Sequence, residues 1–145
     1  MKPLPENFSL SYDVAVPRGF RWGGTRLQCI IGKGTNSFAI GLRPGFDDHA
    51  GFCTITDNDA QILNQTGQEY AAPGFSNNSN FNKIHIAIVK KGKDLELLLN
   101  NSSTAKIKDA FKTATPQLDA LQFVHGGFDT PVEKYFISNI KITKE

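Results

Sequence analysis

The sequence predicts an all-β protein, an antiparallel two-sheet β-sandwich of the jelly-roll kind. Short apolar or alternating runs recur along the 145 residues, and the segments between them are rich in Gly, Pro, Asn and Asp, which favour turns. The stretch Lys83–Asn101 has the pattern of a β-hairpin. No window has the apolar periodicity of a long amphipathic helix. Evenly spaced short strands of this type are typical of sandwiches and jelly rolls.

Eight strand-like runs follow one another along the chain. In the first, Phe8–Val16, apolar and polar side chains alternate, so one face is expected to enter the core. In the last, Tyr135–Thr143, we expect Phe136, Ile140 and Ile142 to share a face. The runs between them are Arg26–Ile31, Ser37–Leu42, Gly51–Ile55, Ile84–Val89, Leu95–Leu99 and Leu121–Val124. The segment Ala105–Ala114 fits one or two helical turns or a short strand equally well.

The register of the hairpin follows from its amino-acid pattern. A two-residue loop, Gly92-Lys93, sets Lys91 opposite Asp94, and Gly at the first loop position suits a type II′ turn. Counting outward predicts an apolar face and a mixed face. The apolar pairs are Ile88 with Leu97 and Ile86 with Leu99; the mixed pairs are Val89 with Glu96, Ala87 with Leu98 and His85 with Asn100. A slip of one residue would set Ile86 against Asn100, so the pattern selects this register.

Composition favours one globular domain, residues 1–145, and limits the classes of partner. Hydrophobic residues make up 39% of the chain and charged residues 21%, as in globular proteins. The net charge is only +2, which is too small for a nucleic-acid-binding surface. Basic residues cluster only at the hairpin tip, at Lys90, Lys91 and Lys93, where we expect solvated side chains.

The sequence contains no apolar run long enough to cross a membrane. Its start, MKPLPENF, is polar and contains two prolines, unlike a signal peptide. Two alternatives stay open: a cytoplasmic protein, or a trimmed part of a secreted precursor with an added Met.

The two cysteines, Cys29 and Cys53, lie in apolar strand-like runs. In a simple meander they would occupy strands separated by a third strand, too far apart for a disulfide. We therefore expect two buried free thiols.

Three segments resemble a known family. The opening LPENFSLSYDV is similar to the first strand, IHIAIVKKGKDLELLLNN to the central hairpin and YFISNIKIT to the final strand of concanavalin A-like lectin/glucanase and laminin-G-like jelly rolls. The two ends resemble modules of secreted or envelope proteins of gut-type bacteria, some of them attached to peptidoglycan-binding domains. The resemblance implies that the last strand pairs beside the first. It also implies a secreted, periplasmic or cell-envelope location and a binding or accessory role.

The chain departs from the catalytic and metal-binding relatives. Glucanases of this superfamily carry an E-x-D-x-x-E pattern, which is absent here, and only Asp57-Asn58-Asp59 and Asp47-Asp48-His49 are similar to the calcium and manganese cluster of legume-type lectins. Asp and Asn are also ordinary turn residues. Glycoside hydrolysis needs two facing carboxyls about 5 to 9.5 Å apart, and nothing in the sequence places Asp13 and Glu96 together. We expect no enzyme activity, no cofactor and no bound metal.

One candidate binding region is the segment Pro17–Gly24. Trp22 offers a flat apolar face to a sugar ring, and Arg21 can bond hydroxyls or a carboxylate. The alternative is that Trp22 and Phe20 plug one end of the sandwich.

The other candidate region is the mixed face of the hairpin. There His85, Glu96 and Asn100 surround the small apolar centre formed by Ala87 and Leu98, an arrangement that suits a sugar ring. The alternative is an ordinary sheet face, partly covered by the loop Gly74–Asn82.

The sequence therefore predicts a non-catalytic binding or accessory module, with carbohydrate as the favoured ligand. Its predicted contacts are Trp22, Arg21, His85, Glu96 and Asn100. The alternative is a structural or protein-interaction module that packs against a neighbouring domain or a second copy. A weaker third interpretation is a glycan-degrading enzyme. Neither nucleic-acid binding nor membrane insertion is expected.

Overall fold

The computed structural model describes residues 1–17, 26–43, 51–72, 81–126 and 135–145. These ranges contain ten strands: β1 (Phe8–Pro17), β2 (Arg26–Lys33), β3 (Asn36–Arg43), β4 (Gly51–Asp57), β5 (Gln68–Ala72), β6 (Phe81–Lys91), β7 (Asp94–Leu99), β8 (Ser102–Ile107), β9 (Leu121–Gly126) and β10 (Phe136–Lys144). The described ranges contain no α-helix. Nothing in them therefore forms a helix that could span a bilayer.

The strands form two five-stranded antiparallel sheets. Sheet A has the order β10-β1-β6-β7-β8, and sheet B has the order β5-β4-β3-β2-β9. The final strand lies beside the first, as the resemblance implied. The predicted all-β, two-sheet sandwich is confirmed.

The core lies between the sheets and is built by strict alternation along the strands. In β1 the side chains of Phe8, Leu10, Tyr12 and Val14 are at most 1% exposed, whereas the residues between them point outward. The same cluster includes inward residues of both sheets, among them Cys29, Ile31, Phe38, Ile40, Cys53, Ile86, Ile88 and Leu97, together with Phe111 from the segment after β8. Aromatic rings meet edge to face, with centroids 5.1 Å apart for Tyr12 and Phe123 and 5.3 Å apart for Phe38 and Phe111.

The hairpin β6–β7 has the predicted register. Lys91 lies opposite Asp94, and the apolar and mixed pairs from Val89–Glu96 to Ile86–Leu99 follow in order. Gly92 has a φ of +57°, as the first loop position of a type II′ turn requires. Beyond the ladder, the amide of Asn100 donates to the carbonyl of His85.

A β-bulge corrects the prediction for the last strand. The register between β1 and β10 shifts between Ser11 and Asp13, and Asn139 takes a left-handed φ of +55°. Phe136 consequently lies opposite the outward Ala15, while Ile142 lies opposite the inward Leu10. The prediction of one shared apolar face was wrong, because an extra residue in a strand reverses the faces of everything beyond it.

Two edge strands differ from the predicted set. β5 was missed, and β8 resolves the ambiguity over Ala105–Ala114 in favour of a strand that ends at Ile107. Both are edge strands, and most of their side chains are exposed. A strand of this kind carries little apolar alternation, so its sequence gives little signal.

Lys90 corrects the expectation of a solvated basic tip. The residue is fully buried, and its Nζ donates to the carbonyls of Glu6, Gly92 and Ala114 at 2.7, 2.7 and 2.6 Å. The ammonium also lies 5.1 Å from the ring centroid of Phe111. Burial lowers the pKa of Lys90 and the charge of Glu6 opposes the shift. The side chain thus joins three separate segments of the chain.

Candidate functional site

The outer face of sheet B presents small and polar side chains in rows across the strands. One row runs Glu69, Thr54, Gly41, Gln28 and Val124, each opposite the next on the neighbouring strand. The next row runs Thr56, Ala39, Ile30 and Gln122. Because their neighbours in sequence fill the core, these residues all face away from it. We call this surface the sheet-B face.

A groove of about 200 Å³ lies on the sheet-B face. It is lined by Gln28, Ile30, Ser37, Phe38, Ala39, Thr56, Asp57 and Asn58. Apolar floor residues and amide or hydroxyl groups therefore share one small depression, as is common in ligand sites.

Asp57 ends β4 beside the groove. Its Oδ2 accepts the backbone amides of Ile62 and Leu63 at 3.0 and 2.8 Å, which fixes the carboxylate. Asp57 lies opposite the inward Phe38, so its carboxyl is on the core side of the sheet and its buried Oδ1 does not face the groove. The polar side chains that face the groove from the strands are therefore Gln28 and Thr56.

Gly41 leaves the centre of the sheet-B face without a side chain at its position. A Cβ at this position would lie 2.5 Å from Oγ1 of Thr54, so the threonine hydroxyl takes the space that any other residue would fill. Beside it, the Arg43 guanidinium lies 5.1 Å from the ring centroid of Phe52. Arg43 is therefore held against the sheet.

The outer face of sheet A, the sheet-A face, carries a different polar group. Asp13 Oδ1 lies 2.7 Å from His85 Nδ1, and Asp13 Oδ2 accepts Asn139 Nδ2 at 2.6 Å. The hydrogen bonds from Asn139 and then His85 lower the pKa of Asp13. About 31% of the His85 side chain is exposed, so the imidazole is oriented by Asp13 and still reaches the surface.

The structure brings together only part of the predicted contact set. Asn100 Oδ1 accepts the backbone amide of His85 at 2.9 Å, so these two residues are neighbours. Glu96 lies opposite Val89, further along the same face, and accepts the Ser103 hydroxyl at 2.6 Å. The other two predicted contacts, Trp22 and Arg21, lie outside the described residues.

The register separates the two carboxyls considered for hydrolysis. Asp13 lies opposite His85, whereas Glu96 lies opposite Val89, four positions further along β6. At about 3.4 Å per residue the offset along the strand is about 14 Å, which exceeds the separation used by glycosidases. Asp13 and Glu96 therefore do not form a hydrolytic pair. The described residues contain no group of three or more His, Cys, Asp or Glu side chains that could hold a metal ion.

The predictions for the cysteines are confirmed. Cys29 and Cys53 are buried free thiols on β2 and β4, which flank β3. Burial raises the pKa of both thiols to about 12, so neither is a reactive thiolate at neutral pH.

Sequence reasoning did not identify the sheet-B groove. The alternation within β3 and β4 contains the signal, since Ala39, Gly41, Thr54 and Thr56 fall between core positions. Such small and hydroxyl residues also occur on any solvated sheet.

Comparison with known proteins finds similarity at the level of structure alone. No family model matches the chain, and no curated protein matches it. A tetrameric galectin from the ball sponge Cinachyrella sp. aligns with a TM-score of 0.64 and 11% identity over 99% of this chain and 95% of that one. Sheep galectin-11 in complex with glycerol aligns with a TM-score of 0.57 and 10% identity over 97% of this chain and 92% of that one. No family model or curated protein supports the bacterial-envelope part of the resemblance, and the laminin-G-like part stays a prediction. The chain has the concanavalin A-like jelly-roll fold that galectins have.

Proposed function

We propose that this protein is a non-catalytic carbohydrate-binding module and that it binds sugar in the groove of the sheet-B face. Galectins, which share the fold, are non-catalytic carbohydrate-binding proteins. Fold alone does not carry function, so the proposal depends on the groove itself. The observation that carries it is the set of outward side chains in the groove, where Gln28 and Thr56 border an apolar floor of Ile30 and Ala39.

A pyranose ring matches both parts of this groove. Its CH face would pack on Ile30 and Ala39, and its hydroxyls would reach Gln28 and Thr56. The amide of Gln28 and the hydroxyl of Thr56 can each donate to or accept from a sugar hydroxyl.

The part of the sheet-A face around His85 has less hydrogen-bonding capacity to offer. Asp13 uses both oxygens internally, and Asn100 Oδ1 is bonded to the His85 amide. The contacts predicted from sequence, His85, Glu96 and Asn100, stay a prediction that the same experiment tests. The secreted or cell-envelope location also stays a prediction from the resemblance.

A glycan array with the wild-type chain and two matched variants tests the proposal. Ala39→Leu fills the sheet-B groove with a larger side chain on an outward position. Ala87→Leu makes the same change on the sheet-A face, between the predicted contacts. Trp22→Ala serves as a third arm for the segment Pro17–Gly24.

We expect a neutral glycan to bind the wild type and Ala87→Leu and to lose at least tenfold in affinity for Ala39→Leu. Loss in Ala87→Leu alone would move the site to the sheet-A face. Loss in Trp22→Ala alone would move it to that segment. If no glycan bound the folded wild-type chain, carbohydrate binding would be the wrong function.

The alternative of a protein-interaction module has one observation in its favour. β10 is the edge strand of sheet A and exposes Phe136, Ile140 and Ile142 by 52%, 51% and 41%. Exposed apolar side chains on an edge strand favour association. Sedimentation velocity of the wild type and Ile140→Lys tests this alternative, which predicts a complex that the lysine abolishes.

A further inference from the structure

A second groove, of about 270 Å³, lies at the hairpin end of the sheet-A face. It is lined by Val89, Lys91, Asp94, Leu95, Glu96, Lys106, Ile107 and Lys108. Its outward apolar residue is Val89, because Leu95 is only 2% exposed and Ile107 lies opposite it and packs against the core. Three lysines and two carboxylates surround Val89. We call it the lysine groove. It is on the opposite side of the sandwich from the sheet-B groove.

The two carboxylates of the lysine groove are engaged within the protein. Glu96 Oε2 accepts the Ser103 hydroxyl at 2.6 Å, and Asp94 Oδ1 accepts the backbone amide of Asp109 at 2.8 Å. Although Lys106 lies directly opposite Glu96, the ion pair found among the described residues is the one between His85 and Asp13. Lys91, Lys106 and Lys108 are exposed, and none of them is neutralised by a described carboxylate.

We propose that the lysine groove binds an anionic saccharide, a sugar that carries sulfate or carboxylate groups. The ring would lie on Val89, and its anionic groups would meet the ammonium groups of Lys106 and Lys108. Lysines act as point charges and do not require a planar bidentate partner, so sulfate and carboxylate both fit. This site is independent of the sheet-B groove.

The position of the groove favours a saccharide over an acidic peptide. An extended peptide binds a sheet by adding a strand at an edge, through backbone hydrogen bonds. The groove side chains Val89, Glu96 and Lys106 form one row across the outer face of β6, β7 and β8, whereas strand addition would use the outer edge of β8. Its volume is slightly below the range of about 300 to 1,000 Å³ of typical small-molecule pockets, and this size suits a short oligosaccharide.

Calorimetric titrations with four probes test the proposal: a heparin-derived hexasaccharide, a hexagalacturonate, maltohexaose and hexaglutamate. The double variant Lys106→Gln/Lys108→Gln removes two charges from the groove. The matched control Lys2→Gln/Lys33→Gln removes two exposed charges elsewhere. Val89→Thr changes the apolar floor with no change in charge.

We expect one or both anionic saccharides to bind and maltohexaose not to bind in this groove. The Lys106/Lys108 variant should lose about tenfold in affinity, since an exposed ion pair contributes up to about fivefold. The control variant should lose less than twofold. Val89→Thr should weaken binding without changing its salt dependence, whereas raising salt should weaken wild-type binding through screening.

Three results would overturn the proposal: no binding of either anionic saccharide, equal binding of hexaglutamate, or equal loss in the control variant. Preference for the heparin or the galacturonate probe would identify the anionic group. Ala39→Leu, which blocks the sheet-B groove, should leave binding of the anionic probe unchanged. Failure here and failure of the sheet-B proposal are therefore distinguishable.

Discussion

Replacing Lys90 with Met tests whether one buried ammonium holds three chain segments together. Met keeps most of the buried volume but cannot donate to the carbonyls of Glu6, Gly92 and Ala114. A buried acceptor that loses its donor costs about 1 to 3 kcal/mol. Removing the buried ammonium also removes the cost of its desolvation, and this offsets part of the cost of leaving the three carbonyls unpaired. We expect a loss of about 2 to 4 kcal/mol in the free energy of unfolding.

Urea denaturation followed by far-UV circular dichroism measures this loss. With an m-value of about 2 kcal/mol/M, the midpoint should fall by about 1 to 2 M. The control is Lys91→Met, on the next, exposed residue, which should change stability by less than about 0.5 kcal/mol. The reasoning would be refuted if the two variants were equally stable, since the carbonyls would then not depend on the ammonium.

Three further predictions concern the core and the two faces. Phe111→Ala should destabilise the protein by about 3 to 5 kcal/mol in urea denaturation, because its ring is fully buried against Phe38; a loss under 1 kcal/mol would contradict this. Gly41→Ala should displace the Thr54 hydroxyl and weaken binding of a sheet-B glycan, with the circular dichroism spectrum unchanged. Hydrogen bonds lower the pKa of Asp13 from its ordinary value of 3.8, so its contribution to stability exists above that value and is lost as pH falls through the lowered pKa. The difference in the free energy of unfolding between wild type and Asp13→Asn should therefore shrink as the pH is lowered. A difference that stayed constant would contradict a stabilising role for these hydrogen bonds.

The hairpin shows what local sequence decides. Its partners are close along the chain, and the loop Gly92-Lys93 fixes the count between them, so the register of Lys91 with Asp94 and of Ile88 with Leu97 could be derived correctly. The alternation in β1 likewise identified the core residues from Phe8 to Val14. In both cases the period-two pattern reports burial directly, because adjacent residues of a strand face opposite sides.

Long-range contacts decided the features that sequence reasoning missed or misassigned. Lys90 looked like a solvated tip residue because its acceptors at Glu6 and Ala114 are remote in sequence. The reversal of faces in β10 follows from a bulge against β1, more than 120 positions away by residue number. A one-residue irregularity of this kind leaves no compositional mark.

In the candidate site, too, some features follow from local sequence and others depend on long-range contacts. The sequence correctly placed His85 beside Asn100 on a mixed face, and it placed Glu96 on that face as well. It could not show that Asp13 and Asn139 bond internally on the same side, nor that Gln28 and Thr56 border a groove on the opposite sheet.

By itself the sequence determined the fold class, the register of the central hairpin, the burial of both cysteines and most of the core. Only the tertiary structure decided which polar side chains satisfy one another and which remain available to a ligand. The physical reason is that the alternation of buried and exposed residues is a local property of each strand. A side-chain hydrogen bond, in contrast, depends on which distant segment supplies its partner.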